Sequence, residues 1–259
     1  MTQTNAGAFD RQIQEAAARA DLGAYRGGYQ KGSATSTAAM RVGIAVCGLF
    51  GIATVASLAT GYPALAIVTG LPTVIGALRL LLGGMASGGP GALHLYQGGV
   101  VVLHKNQVRV VRYADSTVLD NTKRHTQYGR TLSTVYSFGL TDTDGRNLVV
   151  GSAFPGGEQW GPWVQQDSAT AQLPGALARL RAGEKLDFGL LWITAGEIGS
   201  GNTSAPWHQV ERVEIKDGSI DVRVAGRRGA LAASWVRLTP NFSLFHTLTD
   251  MAAQGRPLA

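Results

Sequence analysis

Cysteine is nearly absent from this chain: Cys47 is the only one among 259 residues. A single cysteine excludes an intramolecular disulfide and any metal cluster built from several cysteines of the chain. Charged residues are also scarce, at 15% of the total, and the formal net charge is +6. Residues 86–259 hold 17 Lys and Arg against 14 Asp and Glu, an excess of only +3. A nucleic-acid-binding surface needs a dense basic face, so we expect no nucleic-acid partner.

The motifs of the common catalytic sites are missing as well. None of the five histidines lies in a His-Glu-x-x-His zinc motif, and no serine lies in the Gly-x-Ser-x-Gly motif of hydrolases. Residues 196–201 are glycine-rich, but they lack the Lys-Ser/Thr pair of a phosphate-binding Walker loop. We therefore predict that the chain is not an enzyme and that it has no catalytic residues, no metal site and no cofactor.

Long apolar runs, by contrast, are plentiful in one part of the chain. Residues 42–60 and 64–82 carry no charge before Arg79, and a short turn at 61–63 separates the two runs. A helix needs about 20 apolar residues to cross a bilayer, and the first run has no polar stripe. We predict a two-helix transmembrane hairpin over residues 41–83. The alternative is a buried helical hairpin of a soluble protein.

The basic residues around these runs predict the orientation of the hairpin. Arg26, Lys31 and Arg41 precede the first run, Arg79 lies near the end of the second, and the turn has no basic residue. The positive-inside rule then places both termini in the cytoplasm. The sequence therefore predicts a multi-pass protein of the plasma membrane, with membrane lipids among its partners.

Small residues recur at four-residue spacing in the first apolar run, at Gly43, Cys47 and Gly51. This spacing lets two helices approach closely. The three residues are therefore candidate helix-packing positions, and two kinds of contact are open to them. They form either a dimerisation face, which would make the chain a homo-oligomer, or the contact between the two predicted spans.

Two further segments flank the predicted hairpin. Residues 1–40 begin with a stretch of helical spacing and end in a linker. The helix is either an amphipathic helix that lies on the membrane or a frayed helix, because its apolar face is mostly alanine. Residues 84–92 are rich in glycine and form a second linker, in which Pro90 prevents a helix from continuing.

From Leu93 the period of the apolar residues changes to two, which is typical of β-strands. Asp-Gly pairs at residues 144–145 and 217–218 indicate the turns of two hairpins. The sequence therefore predicts several short antiparallel strands between Leu93 and the last helix.

Helical spacing interrupts and then ends this strand pattern. Residues 157–182 have helical spacing, but Pro162 and Pro174 predict two separate pieces. The last helical segment closes the chain, and Thr239 or Asn241 would cap it. Its apolar face consists of three residues that we expect to be buried: Phe242, Phe245 and Leu248.

The same order of elements occurs twice, in residues 93–185 and in residues 186–254, before a tail at 255–259. Each part has a glycine-broken strand pair, a polar and aromatic joint, an Asp-Gly hairpin and a final helix. The two parts share little sequence identity, so the repeat rests on the order of the elements. We predict two copies of one strand-rich unit, each closed by a helix.

Three segments carry a resemblance to a known kind of protein: LYQGGV at residues 95–100, YAD at 113–115 and LTPNF at 238–242. With these segments the chain resembles an uncharacterised family of actinomycete-type membrane proteins with cytoplasmic pleckstrin-homology-like (PH-like) domains. The resemblance implies a membrane-anchored α+β fold: a transmembrane hairpin followed by two PH-like antiparallel β-barrels, each closed by a C-terminal helix. It brings no catalytic residues.

Basic residues form the candidate site for lipid headgroups. Guanidinium groups match phosphate oxygens, and basic loops at the open end of the resembled barrel hold headgroup phosphates. The alternative is that these loops are simply solvated. The candidates form two clusters, one between two strands and one at a hairpin: Lys123, Arg124 and Arg130, and Arg223, Arg227 and Arg228.

These observations together predict a function in binding and not in catalysis. The first hypothesis is an integral membrane protein whose PH-like tandem acts as a scaffold for an unknown protein partner at the inner leaflet. The alternatives are a sensor of anionic lipid headgroups and a structural homo-oligomer of the membrane.

Overall fold

The computed structural model describes residues 3–31, 91–104, 107–127 and 130–258. These residues form antiparallel sheets and three α-helices, arranged in two successive halves. The first half contains α1 (Gln3–Arg19), β1 (Tyr25–Gln30), β2 (Ala92–Tyr96), β3 (Gly99–His104), β4 (Gln107–Arg112), the 3-10 helix η1 (Tyr113–Asp115), β5 (Thr117–Asp120), β6 (Lys123–Gln127), β7 (Arg130–Val135), β8 (Phe138–Thr141), β9 (Asn147–Val150) and α2 (Gly157–Arg181).

The second half follows directly after helix α2. Its elements are β10 (Leu186–Phe188), β11 (Leu191–Ile193), β12 (Glu197–Ser200), β13 (Thr203–Pro206), the 3-10 helix η2 (Trp207–Gln209), β14 (Val210–Lys216), β15 (Ser219–Val224), β16 (Ala230–Trp235), the 3-10 helix η3 (Val236–Leu238) and α3 (Phe242–Ala253).

The order of elements is the same in the two halves. Each has a four-stranded antiparallel sheet in chain order, β1-β2-β3-β4 or β10-β11-β12-β13, and then a 3-10 helix. A three-stranded sheet follows, β5-β8-β9 or β14-β15-β16, and each half ends in an α-helix. The first half has one addition among the described strands, because the two-stranded ribbon β6-β7 lies between β5 and β8.

Three clusters of buried apolar side chains hold these elements together. The largest side chains of the first-half cluster include Leu93, Leu95, Tyr113, Phe138, Phe154 and Trp160. The second-half cluster includes Leu191, Ile193, Ile220, Phe245 and Leu248. A small third cluster packs α1 on the other face of the first sheet, through Ile13, Ala17, Leu22, Tyr96 and Val101.

Helix α2 belongs to both of the large clusters. Trp160 and Val164, near its start, are buried in the first-half cluster. Ala176 and Leu180, near its end, are buried in the second-half cluster. A helix of 25 residues is about 37 Å long, so one rigid rod reaches from one core to the other. The two halves are therefore joined by a shared element and not by a linker.

The two prolines do not divide this helix, so the prediction of two helical pieces was wrong. Pro162 and Pro174 are exposed, and so are Glu158 and Thr170, whose carbonyl groups lose the donor that a proline cannot supply. Water can reach these carbonyl groups, while the buried face of the helix is uninterrupted. Burial along the whole helix therefore outweighs the local cost of each proline.

The N-terminal segment is part of the first sheet. Strand β1 pairs antiparallel with β2, with Gly27 opposite Leu95, although about 60 residues separate the two strands in sequence. Arg26 donates two hydrogen bonds to the carboxylate of Asp167 on α2, over 2.8 and 3.0 Å. Helix α1 packs against the sheet through Ile13, which is 2% exposed. In its described part, the helix that the sequence predicts near the N-terminus thus packs on the first sheet.

No helix among the described residues is long and apolar enough to cross a membrane. Helices α1 and α3, with 17 and 12 residues, are shorter than the roughly 20 residues that a span needs. Helix α2 is long enough but carries four charged residues, Glu158, Asp167, Arg179 and Arg181.

This finding corrects three predictions: the membrane-anchored fold, the multi-pass location in the plasma membrane with cytoplasmic termini, and the function as an integral membrane protein. The predicted hairpin itself, residues 42–60 and 64–82, lies outside the described residues. Hydropathy measures how apolar a segment is and not what surrounds it, so it is an indirect criterion for a span.

The described strands do not form closed barrels either. Both four-stranded sheets are open meanders, whose first and last strands are not paired with each other. The prediction of two PH-like barrels, each closed by a C-terminal helix, was therefore wrong. An alternating pattern predicts strands and hairpins, but closure also depends on strand tilt and stagger, which the pattern does not encode.

Replacing Pro174 by Ala should stabilise the chain. The change restores a backbone donor to the exposed carbonyl group of Thr170, and an interior proline costs a helix about 3 kcal/mol. The more flexible unfolded chain offsets about 0.4–1 kcal/mol of that gain. We expect the free energy of unfolding, measured with chemical denaturant, to rise by about 2–2.6 kcal/mol.

The control for this change is Gly175→Ala, because the added Cβ would meet nothing within 4 Å. It should stabilise the chain by about 0.5–1 kcal/mol through helix propensity alone. A clear loss of stability in Pro174→Ala would contradict this expectation, because it would show that the proline at this position favours the folded chain.

Candidate functional site

Two polar side chains join the halves where α2 crosses the start of α3. The backbone N–H of Asn241 donates to the carbonyl of Val118 on β5 over 2.8 Å, and the N–H of Val118 donates back to Asn241 Oδ1 over 2.8 Å. The Nε2 of Gln172, on α2, donates to the carbonyls of Tyr113 and Ser116, both at 2.9 Å, and to Asn241 Oδ1 at 3.2 Å. We call Gln172 and Asn241 the polar bracket, because they connect β5, α2 and α3.

This use of Asn241 differs from the predicted cap. Asn241 does stand at the N-cap position of α3, with a left-handed φ of 51°, but its side chain makes no hydrogen bond to the helix. Asparagine tolerates this backbone conformation better than most residues do. Thr239, the other predicted cap, is buried and donates instead to the carbonyl of Trp235 over 2.9 Å. The side chains that were expected to cap α3 are thus engaged elsewhere.

Next to the polar bracket, a groove of about 520 Å³ runs between the two halves and is open to solvent. We call it the α2–α3 groove. Helix α2 contributes Pro162, Gln165, Gln166, Ala169, Thr170 and Leu173, helix α3 contributes Phe242, Ser243, His246 and Thr247, and the sheets contribute Arg124 of β6 and Ile215 of β14.

The floor of the groove is apolar. Ile215, on β14, is 38% exposed. Leu173 and Phe242 pack against the second-half cluster but keep part of their surface free. Burial of Phe245 and Leu248 confirms two of the three predicted positions on α3, whereas Phe242 is only half-buried because it lines the groove.

The charges at the rim of the groove are cationic or neutral. Of the residues that the structure describes, Arg124 and His246 are the only ionisable ones that line the groove, and none of its described lining residues is a carboxylate. Two carboxylates stand just behind the rim: Asp250 lies 3.1 Å from His246 Nδ1, and Asp120 accepts a hydrogen bond from Gln165 over 2.6 Å. The free positive charge of the groove is therefore that of Arg124, which is exposed.

Ser243, His246 and Asp250 occur on one face of α3 in the order of a nucleophile, a base and an orienting acid. A hydrogen bond joins His246 to Asp250, but among the described residues none joins Ser243 to His246. An activated serine needs that bond. The same part of the chain also contains no cluster of His, Cys, Asp or Glu that could hold a metal ion. The geometry of the groove is suited to holding a ligand.

The structure separates the first group of predicted headgroup residues. Lys123 and Arg124 are neighbours on β6 and are both exposed, and Arg124 alone lines the groove. Arg130 begins β7 opposite Gln127, at the far end of the ribbon from Lys123. Four residues along a strand correspond to about 13 Å, so the backbone positions of Lys123 and Arg130 lie at opposite ends of the ribbon.

The second group lies on another sheet. Arg223 is on β15, opposite Arg212, and its buried Nε has no hydrogen-bond partner among the described residues. Arg227 and Arg228 are exposed in the turn between β15 and β16. None of the three lines the α2–α3 groove. The predicted helix-packing residues Gly43, Cys47 and Gly51 lie outside the described residues.

Sequence reasoning missed most of the groove. Gln172 carried no signal, because a glutamine in a helix is usually exposed. Ile215 and His246 belong to elements that are about 30 residues apart, and only the contact between β14 and α3 brings them together. The one usable signal is the Pro-Asn pair before α3, which by itself predicts only a local cap.

Comparison with known proteins identifies the family of the chain. The model of a family of unknown function, DUF6585, matches residues 1–257. No curated protein and no solved structure matches the chain. The chain therefore belongs to the DUF6585 family, and its function has to be argued from its own residues.

Replacing Asn241 by Ala should destabilise the chain strongly. The change leaves the N–H of Val118 without its acceptor and places an alanine in a left-handed conformation. These effects cost about 1–3 kcal/mol and about 1–2 kcal/mol. Denaturant unfolding should therefore show a loss of about 2–5 kcal/mol.

Asn241→Gly is the matched variant, since glycine adopts a left-handed φ without strain. It should lose only the hydrogen-bond part, about 1–3 kcal/mol. If both variants unfold within about 0.5 kcal/mol of the unmodified chain, the polar bracket does not hold the halves together.

Proposed function

We propose that this member of a family of unknown function is a non-catalytic binding module, and that its α2–α3 groove takes a short acidic segment of a partner protein. The observation that carries the proposal is the lining of the groove. An apolar floor lies beside Arg124 and His246, and no carboxylate is among the lining residues in the part of the chain that the structure describes.

The size of the groove favours a segment over a folded domain. A volume of about 520 Å³ accepts a few side chains and lies within the usual range for ligand sites, about 300–1,000 Å³. Grooves bounded by helices commonly receive a peptide through a small number of apolar anchor residues. The partner is therefore expected to contribute a short stretch of chain.

The apolar floor supplies the contact area for such anchors. Ile215, Leu173 and Phe242 come from three different elements, β14, α2 and α3. An apolar side chain that becomes buried against them contributes about 1.5–3 kcal/mol. This term provides affinity but does not distinguish one apolar partner from another.

Charge provides the selectivity. Arg124 stands at the rim, and the whole ribbon from residue 121 to residue 135 contains Lys123, Arg124 and Arg130 but no Asp or Glu. A complementary charge guides a partner towards its site and excludes partners of the wrong sign. Acidic segments are therefore favoured and basic ones disfavoured.

The polar bracket gives the groove a fixed shape. Gln172 is adjacent to Leu173, and Asn241 is adjacent to Phe242, so the hydrogen bonds of the bracket hold two floor residues in place. A site that is already formed binds its ligand without first losing conformational freedom. This supports binding by a rigid surface and not by folding around the partner.

The test uses the full-length protein and a fluorescent short amphipathic peptide that carries leucine on one face and glutamate on the other. Fluorescence anisotropy measures its affinity. We expect Arg124→Glu and Ile215→Thr each to weaken binding by about tenfold, which corresponds to about 1.4 kcal/mol. The control, Arg227→Glu, changes the same charge at an exposed turn outside the groove and should bind the peptide like the unmodified chain.

A second peptide, with lysine in place of each glutamate, tests the sign of the charge and should bind at least tenfold more weakly than the acidic one. Equal affinity for both peptides, or an equal effect of Arg124→Glu and Arg227→Glu, would contradict the proposal. Binding to phosphatidylglycerol vesicles that depends on Arg124, without peptide binding, would assign the groove to lipid headgroups instead.

A further inference from the structure

A second cavity, of about 680 Å³, lies between α1 and the first sheet, away from the α2–α3 groove. Three of its lining residues carry a ring: Tyr25 and Tyr96 carry a phenol, and His94 carries an imidazole. A fourth, Asp21, is the only Asp, Glu, Lys or Arg among them. The remaining lining residues come mostly from the apolar face of α1.

The register of the sheet brings the rings together. Tyr25 on β1 is paired with Tyr96 on β2, so both side chains leave the same face of the sheet, and His94 leaves that face two residues earlier. The ring centroids of Tyr25 and Tyr96 are 5.3 Å apart in an edge-to-face arrangement, and those of Tyr25 and His94 are 6.2 Å apart. Tyr25 thus contacts both other rings, and the three form an aromatic corner in which Tyr25 is 56% exposed and Tyr96 is 6% exposed.

Gly28 allows Tyr25 to lie over the sheet. A Cβ at position 28 would stand 2.6 Å from the phenolic oxygen of Tyr25 and 3.2 Å from the ring of His94. A shift of the register between Tyr25 and Gly27 turns the Tyr25 side chain in that direction. The aromatic corner thus depends on the absence of a side chain at this one position.

We propose that this corner binds a small solute that carries a trimethylammonium group. The faces of aromatic rings attract cations, and a trimethylammonium group has a diffuse charge that is easily removed from water. Tyr25, Tyr96 and His94 supply the ring walls, and Asp21 supplies the countercharge. Burial raises the pKa of the Tyr96 phenol, with a smaller contribution from Tyr25.

Asp21 fits this role through its position and not through burial. It is exposed, lies at the end of α1 in a left-handed conformation with a φ of 51°, and precedes Leu22, which is fixed in the third cluster. Asp21 is therefore an exposed lining residue of the cavity, whose ring-bearing lining residues belong to the sheet. An ammonium group with N–H bonds would stay more strongly hydrated and should bind less well.

In the test, choline is titrated into the full-length protein and its binding is monitored by two-dimensional NMR. The buffer is free of other quaternary amines. The neutral isostere of choline, in which a tert-butyl group replaces the trimethylammonium group, is titrated in parallel. We expect choline to bind at least tenfold more tightly than the isostere, as expected for about 1.4 kcal/mol of cation–π attraction. Equal affinities for choline and the isostere would show that the site is only an apolar pocket, which would overturn the proposal. An absence of choline binding would overturn it as well.

Three variants locate the site. Tyr25→Leu should weaken choline binding by about tenfold, whereas Tyr25→Phe, which keeps the ring, should change it by less than about twofold. Gly28→Ala retains every cage residue but pushes the Tyr25 ring aside, so it should weaken choline binding by several-fold and leave the melting temperature nearly unchanged.

The control variant is Trp235→Leu, which removes an aromatic residue that is 47% exposed elsewhere on the protein. It should have no effect on choline binding. An effect of Trp235→Leu as large as that of Tyr25→Leu would mean that choline binds to exposed rings in general, which contradicts the proposal.

Discussion

The shared burial of helix α2 is the constraint on which the rest of the structure depends. Its first turns complete the first-half cluster through Trp160 and Val164, and its last turns complete the second-half cluster through Ala176 and Leu180. Neither half has a complete core without this helix. The continuity of α2 across Pro162 and Pro174 follows from this double burial, because a break would detach one core from the other.

The candidate sites follow from the same constraint. Because α2 is fixed in both cores, the start of α3 is held beside it by Gln172 and Asn241, and the α2–α3 groove forms along their line of contact. The N-terminal segment is held by α2 as well, since Arg26 on β1 pairs with the buried carboxylate of Asp167. That pair keeps β1 on the sheet edge where Tyr25 meets Tyr96, so both cavities depend on one helix.

The sequence predicted the features that depend on neighbouring residues and failed on contacts between residues that are far apart in the chain. The Asp-Gly turns at residues 144–145 and 217–218, the short strands and the burial of Phe245 and Leu248 all follow from neighbouring residues. Asn241 was mistaken for a helix cap because its partner, Val118, is 123 residues away. The membrane hairpin rested on hydropathy and flanking charge and the closed barrels on a resemblance carried by short segments, and none of these contains information about the surroundings of a segment.

Native-state hydrogen exchange of the full-length protein tests most directly whether α2 makes the two halves one cooperative unit. The slowest-exchanging amides of β3, in the first half, and of β15, in the second half, report the opening of the two cores. If α2 couples the cores, both sets of amides should exchange with the same opening free energy and the same dependence on denaturant. Two distinct opening free energies, with one core exchanging while the other stays protected, would contradict this account.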